Sequence, residues 1–180
     1  MPVPLPPETR ILEAMKAIAE AEDLHLIFQL SDNPLTVRHY RHRNTGKTER
    51  PGLALRYVQS EIDNERGPMH TSSEQCWALN VDIVIDLPLL AERDHNVPAG
   101  EDNDATGWDR LLGVGHYMAG RYCRMDSPLR QIVDDVLYGD VDPDEDSQPD
   151  EGRLASSVIV LYRTLFDDPL TLLGPEGNAS

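Results

Sequence analysis

Residues 75–87 read Gln-Cys-Trp-Ala-Leu-Asn-Val-Asp-Ile-Val-Ile-Asp-Leu, and this stretch decides the fold class. Large apolar side chains occupy every odd position from Trp77 to Leu87, while most even positions are small or polar. A period of two is the pattern of a β-strand with one face in a core. Pro88 ends the strand. We therefore predict a long strand with one buried face and a second face that lies in solvent or at an interface.

Four further segments have the composition of strands. Residues 24–30 form a short apolar run that we interpret as a strand, and residues 35–43 and 53–59 suggest a hairpin with a basic tip at residues 44–47. Residues 157–166, with the sequence SVIVLYRTLF, are apolar on both faces. They predict either a central strand covered on both sides or an outer strand whose second face meets another subunit.

Three segments have the spacing of helices. Near the N-terminus, Ile11, Leu12, Met15 and Ile18 recur at steps of three and four residues. Residues 107–124 repeat this pattern and contain several glycines. Ser127 and Pro128 then resemble an N-cap and first-turn proline of a third helix that ends at Gly139. Its apolar positions are Leu129, Ile132, Val133, Val136 and Leu137.

The 180 residues are enough for one domain. We predict a proline-rich arm over residues 1–7, a single α+β domain over residues 8–173 and a flexible tail over residues 174–180. The domain should hold a mixed, mainly antiparallel sheet packed by the N-terminal helix and the two later helices. Two polar inserts, residues 91–106 and 140–152, are expected to be mobile loops.

The composition disfavours several classes of protein. The net charge is −16, from 32 acidic and 16 basic residues, and such a surface repels nucleic acid. There is no run of about 18 apolar residues that would cross a membrane, and residues 1–7 lack the pattern of a signal peptide. We expect a soluble protein made in the cytoplasm. Cys76 and Cys123 are far apart and indicate no disulfide framework.

Motifs that carry chemistry are absent from the sequence. It has no glycine-rich phosphate loop, no nucleophile elbow GxSxG and no HExxH zinc motif. Asp82 and Asp86 share one strand face, where they suit acid–base chemistry or cation binding, but we favour the simpler interpretation of a solvated strand face. The six histidines are scattered. We therefore expect no catalytic, metal-binding or cofactor-binding residues, and a protein that is not an enzyme.

One asymmetry in charge suggests a role in assembly. Six bases and one acid, Glu49, lie within residues 38–56, which gives a local charge of +5, so the remainder carries −21. A basic patch on an acidic domain suits head-to-tail assembly, in which unlike patches of neighbouring copies meet. Ordinary surface scatter is the alternative. The candidate interface residues are Arg38, Arg41, Arg43, Lys47, Arg50 and Arg56.

The order of elements resembles that of the tail terminator proteins of long-tailed bacteriophages and of related tail-completion and head–tail joining proteins. The resemblance covers about residues 8–172. It is carried by the N-terminal helix, the long alternating strand and the later helices, and by the segments Ile11-Leu12-Glu13-Ala14, Pro51-Gly52-Leu53-Ala54-Leu55-Arg56-Tyr57-Val58 and Val160-Leu161-Tyr162-Arg163-Thr164. The two polar inserts depart from the family's pattern.

The resemblance implies a structural virion protein of the neck. It implies a ring of about six copies that caps the tail tube, stops its growth and joins the tail to the head connector or stopper protein. DNA would pass through the channel without specific binding, and no cofactor or membrane is implied. The sequence leaves open another phage adaptor or baseplate component and, from a different class, a small acidic enzyme or a regulatory binding module.

The second insert has a specific expected role within such a ring. Residues 140–152 contain seven acidic residues and no arginine or lysine. Carboxylates that line a channel would keep DNA phosphates from adhering. The acids that would face the lumen or a docking surface are Asp140, Asp142, Asp144, Glu145 and Asp146.

Overall fold

The computed structural model describes residues 4–27, 36–40, 52–63, 73–87, 103–143 and 152–175. Its helices are α1 (Pro7–Ala21), the single-turn α2 (Leu24–Ile27) and α3 (Asn103–Cys123), with a 3-10 helix at Pro128–Gln131. Its strands are β1 (Thr36–Tyr40), β2 (Gly52–Ile62), β3 (Glu74–Leu87), β4 (Asp135–Pro143), β5 (Gly152–Leu165) and β6 (Leu172–Leu173). The predicted α+β class is confirmed. None of the described helices has the length and apolar content that a membrane crossing requires.

The strands form one sheet in the order β1-β2-β3-β5-β4, and β6 pairs with β5 beyond the first residue of β4. β1 runs parallel to β2, and the other described pairings are antiparallel. The centre of the sheet is the ladder between β3 and β5, which extends from the pair Glu74–Leu165 to the pair Leu87–Gly152. The strand predicted from residues 75–87 therefore lies at the middle of the sheet. The one predicted from residues 157–166 is β5, an interior strand between β3 and β4.

The hydrophobic core lies on one face of the sheet. The side chains that β3 and β5 contribute to the main core cluster share that face, because they alternate along each strand and lie opposite each other in the register. They are Leu79, Val81, Ile83, Ile85, Leu154, Val158, Val160 and Tyr162. The helices α1 and α3 cover this face with their own buried residues, among them Ile11, Met15, Leu111 and Met118. Val84 and Leu161 are buried on the opposite face.

The N-terminal helix begins at Pro7, the last residue of the predicted arm, and ends at Ala21. Pro7 occupies the first turn, where a missing backbone N–H costs no hydrogen bond, and Glu8 places an acid near the positive end of the helix. The buried residues follow the predicted spacing at Ile11, Leu12, Met15 and Ile18. The chain becomes extended at Glu22. The predicted N-terminal helix is therefore confirmed.

Two predicted elements between residues 24 and 59 are wrong. Residues 24–27 form the single helical turn α2 instead of a strand. Residues 36–40 and 52–62 are strands, but they run parallel, so they do not form the predicted hairpin. The tip of that hairpin, at residues 44–47, lies outside the described residues.

The third predicted helix is also wrong. Ser127 does cap a helical turn, since its hydroxyl accepts a hydrogen bond from the Leu129 amide at 3.4 Å, but that turn is a 3-10 helix of four residues. The chain then enters β4, whose Val136 pairs with Val160 of β5. The second insert is shorter than predicted because β4 continues to Pro143. The first insert is shortened as well, since α3 begins at Asn103.

Candidate functional site

The face of the sheet that lies opposite the described helices, called the second face here, carries a salt bridge between neighbouring strands. Arg56 of β2 lies directly across from Asp82 of β3. Its Nη2 and Nε atoms donate to the Oδ2 atom of Asp82 at 2.6 and 3.1 Å. Both side chains are about one-fifth to one-quarter exposed. Asp82 is therefore engaged in a cross-strand ion pair.

A larger ion cluster holds the far end of the second face together. Arg163 of β5 donates through Nε to both carboxylate oxygens of Asp134, at 3.0 and 2.9 Å, and through Nη1 to Glu74 at 2.6 Å. Its Nη2 atom donates to the carbonyl oxygens of Gly174 and Pro175. The hydrogen bond to Asp134 is the main cause of the raised pKa of Arg163. This residue joins the start of β3, the approach to β4 and the segment after β6.

Apolar side chains lie between these charged groups. Leu137 of β4 lies opposite Ile159 of β5 on the second face. Leu137 is 43% exposed and Ile159 is half-buried. The second face therefore combines exposed aliphatic surface with ion pairs that are already satisfied within the chain.

Hydrogen bonds and an ion pair also connect the helices α1 and α3. Glu22, at the end of α1, accepts hydrogen bonds from the Tyr117 hydroxyl and from Nε of Arg121, both at 2.6 Å and both on α3. The Tyr117 hydrogen bond first, and the one from Arg121 next, lower the pKa of Glu22. These contacts fix the end of α1 against α3.

The histidine His116 of α3 contacts the edge strand β4. Its Nδ1 atom shares a hydrogen bond with the Tyr138 hydroxyl, and the two rings stack with their centroids 6.0 Å apart. The part of the Tyr138 side chain that is buried raises the pKa of its hydroxyl. Both side chains are exposed. The nearby Ser156 is fully buried, so a substrate in solution would not reach its hydroxyl. The pair joins α3 to β4.

A cleft of about 300 Å³ opens beside the N-terminus of α1 and over β2. We call it the α1 cleft; the described residues that line it are Pro6, Glu8, Thr9, Leu12 and Tyr57. Oε1 of Glu8 accepts a hydrogen bond from the Tyr162 hydroxyl at 2.9 Å. Because Tyr162 gives its one proton to Glu8, the Ser60 hydroxyl donates to the Tyr162 oxygen, at 3.0 Å. Burial raises the pKa of Tyr162, which therefore remains a donor.

The turn between β5 and β6, called the Phe166 loop here (residues 166–171), projects a large aromatic side chain. Phe166 is 72% exposed and Leu170 is 42% exposed. Asp168 fixes the turn: its carboxylate accepts from the Leu170 amide at 3.3 Å and from the Thr171 hydroxyl at 2.6 Å. The Phe166 amide donates to the Ser73 carbonyl at 2.6 Å. The exposed ring therefore stands on a loop that is held at both ends.

Most of the predicted site residues lie outside the described parts of the chain. Of the six bases, Arg56 is in β2 and pairs with Asp82, and Arg38 is in β1 in register with Ala54. Of the five acids, Asp140 and Asp142 belong to β4. Residues outside the description are Arg41, Arg43, Lys47, Arg50, Asp144, Glu145 and Asp146. Arg56 thus takes part in an intramolecular ion pair, and the remaining interface and lumen assignments stay predictions.

The sequence interpretation missed the α1 cleft and the Phe166 loop. The cleft is lined by residues that are about fifty positions apart in the sequence, and no local sequence pattern predicts that they lie together. The loop did carry a signal, since Asp167-Asp168-Pro169 directly after Phe166 is typical of a turn. Placing Phe166 as the last residue of a buried strand overlooked this signal.

Within the described residues, no group of three or more histidine, cysteine, aspartate or glutamate side chains is arranged to hold a metal ion. No protein-family model matches this chain, and no curated protein matches its sequence.

Proposed function

We propose that this protein is a structural subunit of the neck of a long-tailed bacteriophage, which forms a ring on the tail tube, ends tube growth and joins the tail to the head connector. The observation that carries this proposal is the one-sided core. The described helices and the main core cluster lie on the same side of the sheet; the second face is exposed at Leu137 but buried at Ala54, Val84 and Leu161.

The composition of the second face supports a role in contacts between proteins. Specific interfaces combine apolar area with polar groups that are satisfied by hydrogen bonds. Leu137 and Ile159 supply apolar surface, while the Arg56–Asp82 and Arg163–Asp134 pairs are complete within the chain. A neighbouring protein can cover these two pairs without leaving either arginine unpaired, which would be costly.

The net charge of the chain supports a subunit that surrounds a DNA channel but does not bind the DNA. A protein with a net charge of −16 repels phosphates, and a channel through which DNA slides must not retain it. The basic segment over residues 38–56 would then contact a neighbouring protein chain.

The proposal is tested by imaging tails assembled with and without this protein by cryo-electron microscopy. We expect a ring of about six copies at one end of the tube, and tubes of uncontrolled length when the protein is absent. Normal tails in its absence, or single copies without symmetric contacts, would contradict the proposal. A steep decrease of DNA affinity with salt would also count against it, since phosphate neutralisation produces such a slope.

A further inference from the structure

We propose that the α1 cleft binds an arginine side chain from an exposed segment of a partner protein. The guanidinium group pairs with the Glu8 carboxylate and lies against the Tyr57 ring, both of which line the cleft. This binding site is separate from the proposed assembly role, and it can be tested on the free subunit.

Glu8 is held in place and still has acceptor positions for a ligand. Its Oε1 atom accepts the Tyr162 hydroxyl at 2.9 Å, and the Ser60 hydroxyl donates to the same Tyr162 oxygen at 3.0 Å. A carboxylate has about four acceptor positions, of which Tyr162 takes one. Glu8 is half-buried and lines the cleft, so a ligand in the cleft can reach it. A carboxylate that is oriented before binding loses little conformational entropy when a partner arrives.

The lining of the cleft favours an organic cation over a metal ion. Tyr57 is half-buried and offers an aromatic ring, whose negative face attracts a cation. Pro6 adds an aliphatic wall, whereas Thr9 and Leu12 are buried, so a ligand meets mainly the other three residues. Glu8 carries the only carboxylate among the described lining residues, and Ca²⁺ takes about 6–8 oxygen ligands. The cleft therefore suits a cation with an apolar stem.

Among organic cations, an arginine side chain matches this lining best. Its guanidinium group is planar, forms two parallel hydrogen bonds to a carboxylate and stacks on aromatic rings. A lysine ammonium is a compact, strongly hydrated charge that lacks this planar geometry. The cleft volume of about 300 Å³ is sufficient, because a cavity of about 150 Å³ binds benzene in an engineered protein and a guanidinium group is smaller than benzene.

The residues before the cleft indicate that the arginine belongs to a protein and is not a free ligand. Leu5 directly precedes Pro6 and is 46% exposed, and Pro4 before it is exposed as well. Pro6 has the extended polyproline II conformation, with φ and ψ of −58° and 149°. An exposed apolar arm thus leads to the wall of the cleft, and the residues that flank an arginine can pack against it. The net charge of −16 attracts a basic partner.

The test measures the binding of short peptides to the full chain by two-dimensional NMR. The probe is a capped tripeptide with arginine between two leucines, and its neutral analogue has citrulline in place of arginine. We expect the arginine peptide to shift the amide signals of Glu8, Thr9 and Tyr57, and the citrulline peptide to bind about fivefold or more weakly, since it lacks the charge. Equal binding of the two peptides, or the absence of shifts at these three residues, overturns the inference.

Substitution of Glu8 separates its charge from its structural role. In Glu8→Gln the amide oxygen still accepts the Tyr162 hydrogen bond, so the cleft is kept while its charge is removed. We expect this variant to bind the arginine peptide about fivefold or more weakly. Glu13→Gln is the matched control, because Glu13 is exposed on the same helix and does not line the cleft. Equal affinities of the two variants overturn the inference, as does an unchanged affinity in Tyr57→Leu, which removes the aromatic wall.

A further comparison distinguishes a protein partner from a free cation. Capped arginine without flanking residues should bind about threefold or more weakly than the tripeptide, because it cannot pack against the apolar arm. Equal affinity of the two probes overturns the assignment to a protein partner. These measurements use the free subunit, so their outcome is independent of whether the protein forms a ring on tails.

Discussion

Glycine at position 139 allows β4 to approach β5 closely beside a register shift. A Cβ atom built on Gly139 would overlap the Ser157 hydroxyl and would lie 2.8 Å from the Ser157 carbonyl oxygen, which is backbone and cannot move aside. The shift between Tyr138 and Val141 occurs at the same place. The bend of the edge strand thus depends on the missing side chain.

We predict that Gly139→Ala lowers the free energy of unfolding by about 1–3 kcal/mol, because overpacking forces the strands apart. Gly120→Ala is the matched control: no atom lies within 4 Å of its Cβ position, and it belongs to α3. That change should stabilise the protein by up to about 1 kcal/mol, through helix propensity. Urea unfolding measures both values, and an equal effect of the two substitutions would contradict the argument.

Arg163 connects β5 to the start of β3, to the residue before β4 and to the segment after β6. We predict that Arg163→Ala destabilises the protein by about 1–3 kcal/mol, since it leaves the largely buried Asp134 without its partner. Arg124→Ala is the control, because the Arg124–Asp126 pair is mostly exposed and such pairs contribute little. Thermal unfolding should show a clearly larger loss of stability for Arg163→Ala than for Arg124→Ala. Similar losses would mean that the Arg163 ion cluster does not stabilise the fold.

At the scale of elements, the junction of α1 with α3 should make stability depend on pH. The pKa of Glu22 is lowered in the folded protein, so its contribution is complete above the unfolded value of about 4.3 and is lost as the pH falls through the folded value. We predict that Glu22→Gln reduces the loss of unfolding free energy between about pH 6 and about pH 3.

Tyr117→Phe should act in the same direction, because Tyr117 is the largest cause of the shift. Urea titrations at several pH values measure both effects. If the two variants have the pH profile of the wild type, Glu22 does not carry this dependence.

Elements with strict periodicity were predictable from the sequence. The alternation at residues 75–87 identifies β3 and its core face, and the spacing of Ile11, Leu12, Met15 and Ile18 identifies α1. Both patterns arise because burial of one face dominates the stability of a surface element.

The third helix was predicted wrongly because two different structures share one spacing. Leu129 and Val133 are buried by the 3-10 turn and the bend that follows, and Val136 is buried by β4. Their separation of three or four residues also fits a helix. Pairing with β5 decides between the two, and the sequence of residues 127–139 does not contain that partner.

The candidate site was less predictable than the fold. Arg56 was identified as an interface base, but its partner Asp82 depends on the register between β2 and β3. The α1 cleft depends on how α1 lies over β2. Such contacts follow from tertiary packing, which local sequence does not specify.

At the scale of the whole molecule, the basic segment offers a test of assembly that leaves the core intact. We predict that replacing Arg41, Arg43 and Lys47 together by glutamate blocks assembly of tails while the subunit keeps its folded circular-dichroism spectrum, because reversals of surface charge usually change stability little. Substituting lysine for both arginines preserves the charge and is the control. Normal assembly of the charge-reversed variant would show that this segment is not an interface.

The ladder between β3 and β5 also sets the order of events during synthesis. β3 ends at Leu87, whereas its partner β5 is complete only at Leu165. A ribosome that adds about 5–20 residues per second needs roughly 4–16 s for the intervening 78 residues. Throughout that interval the nascent chain presents the apolar side of β3 without its central neighbour. During synthesis, β3 is therefore a strand that must be kept from pairing with other nascent chains until β5 has been made.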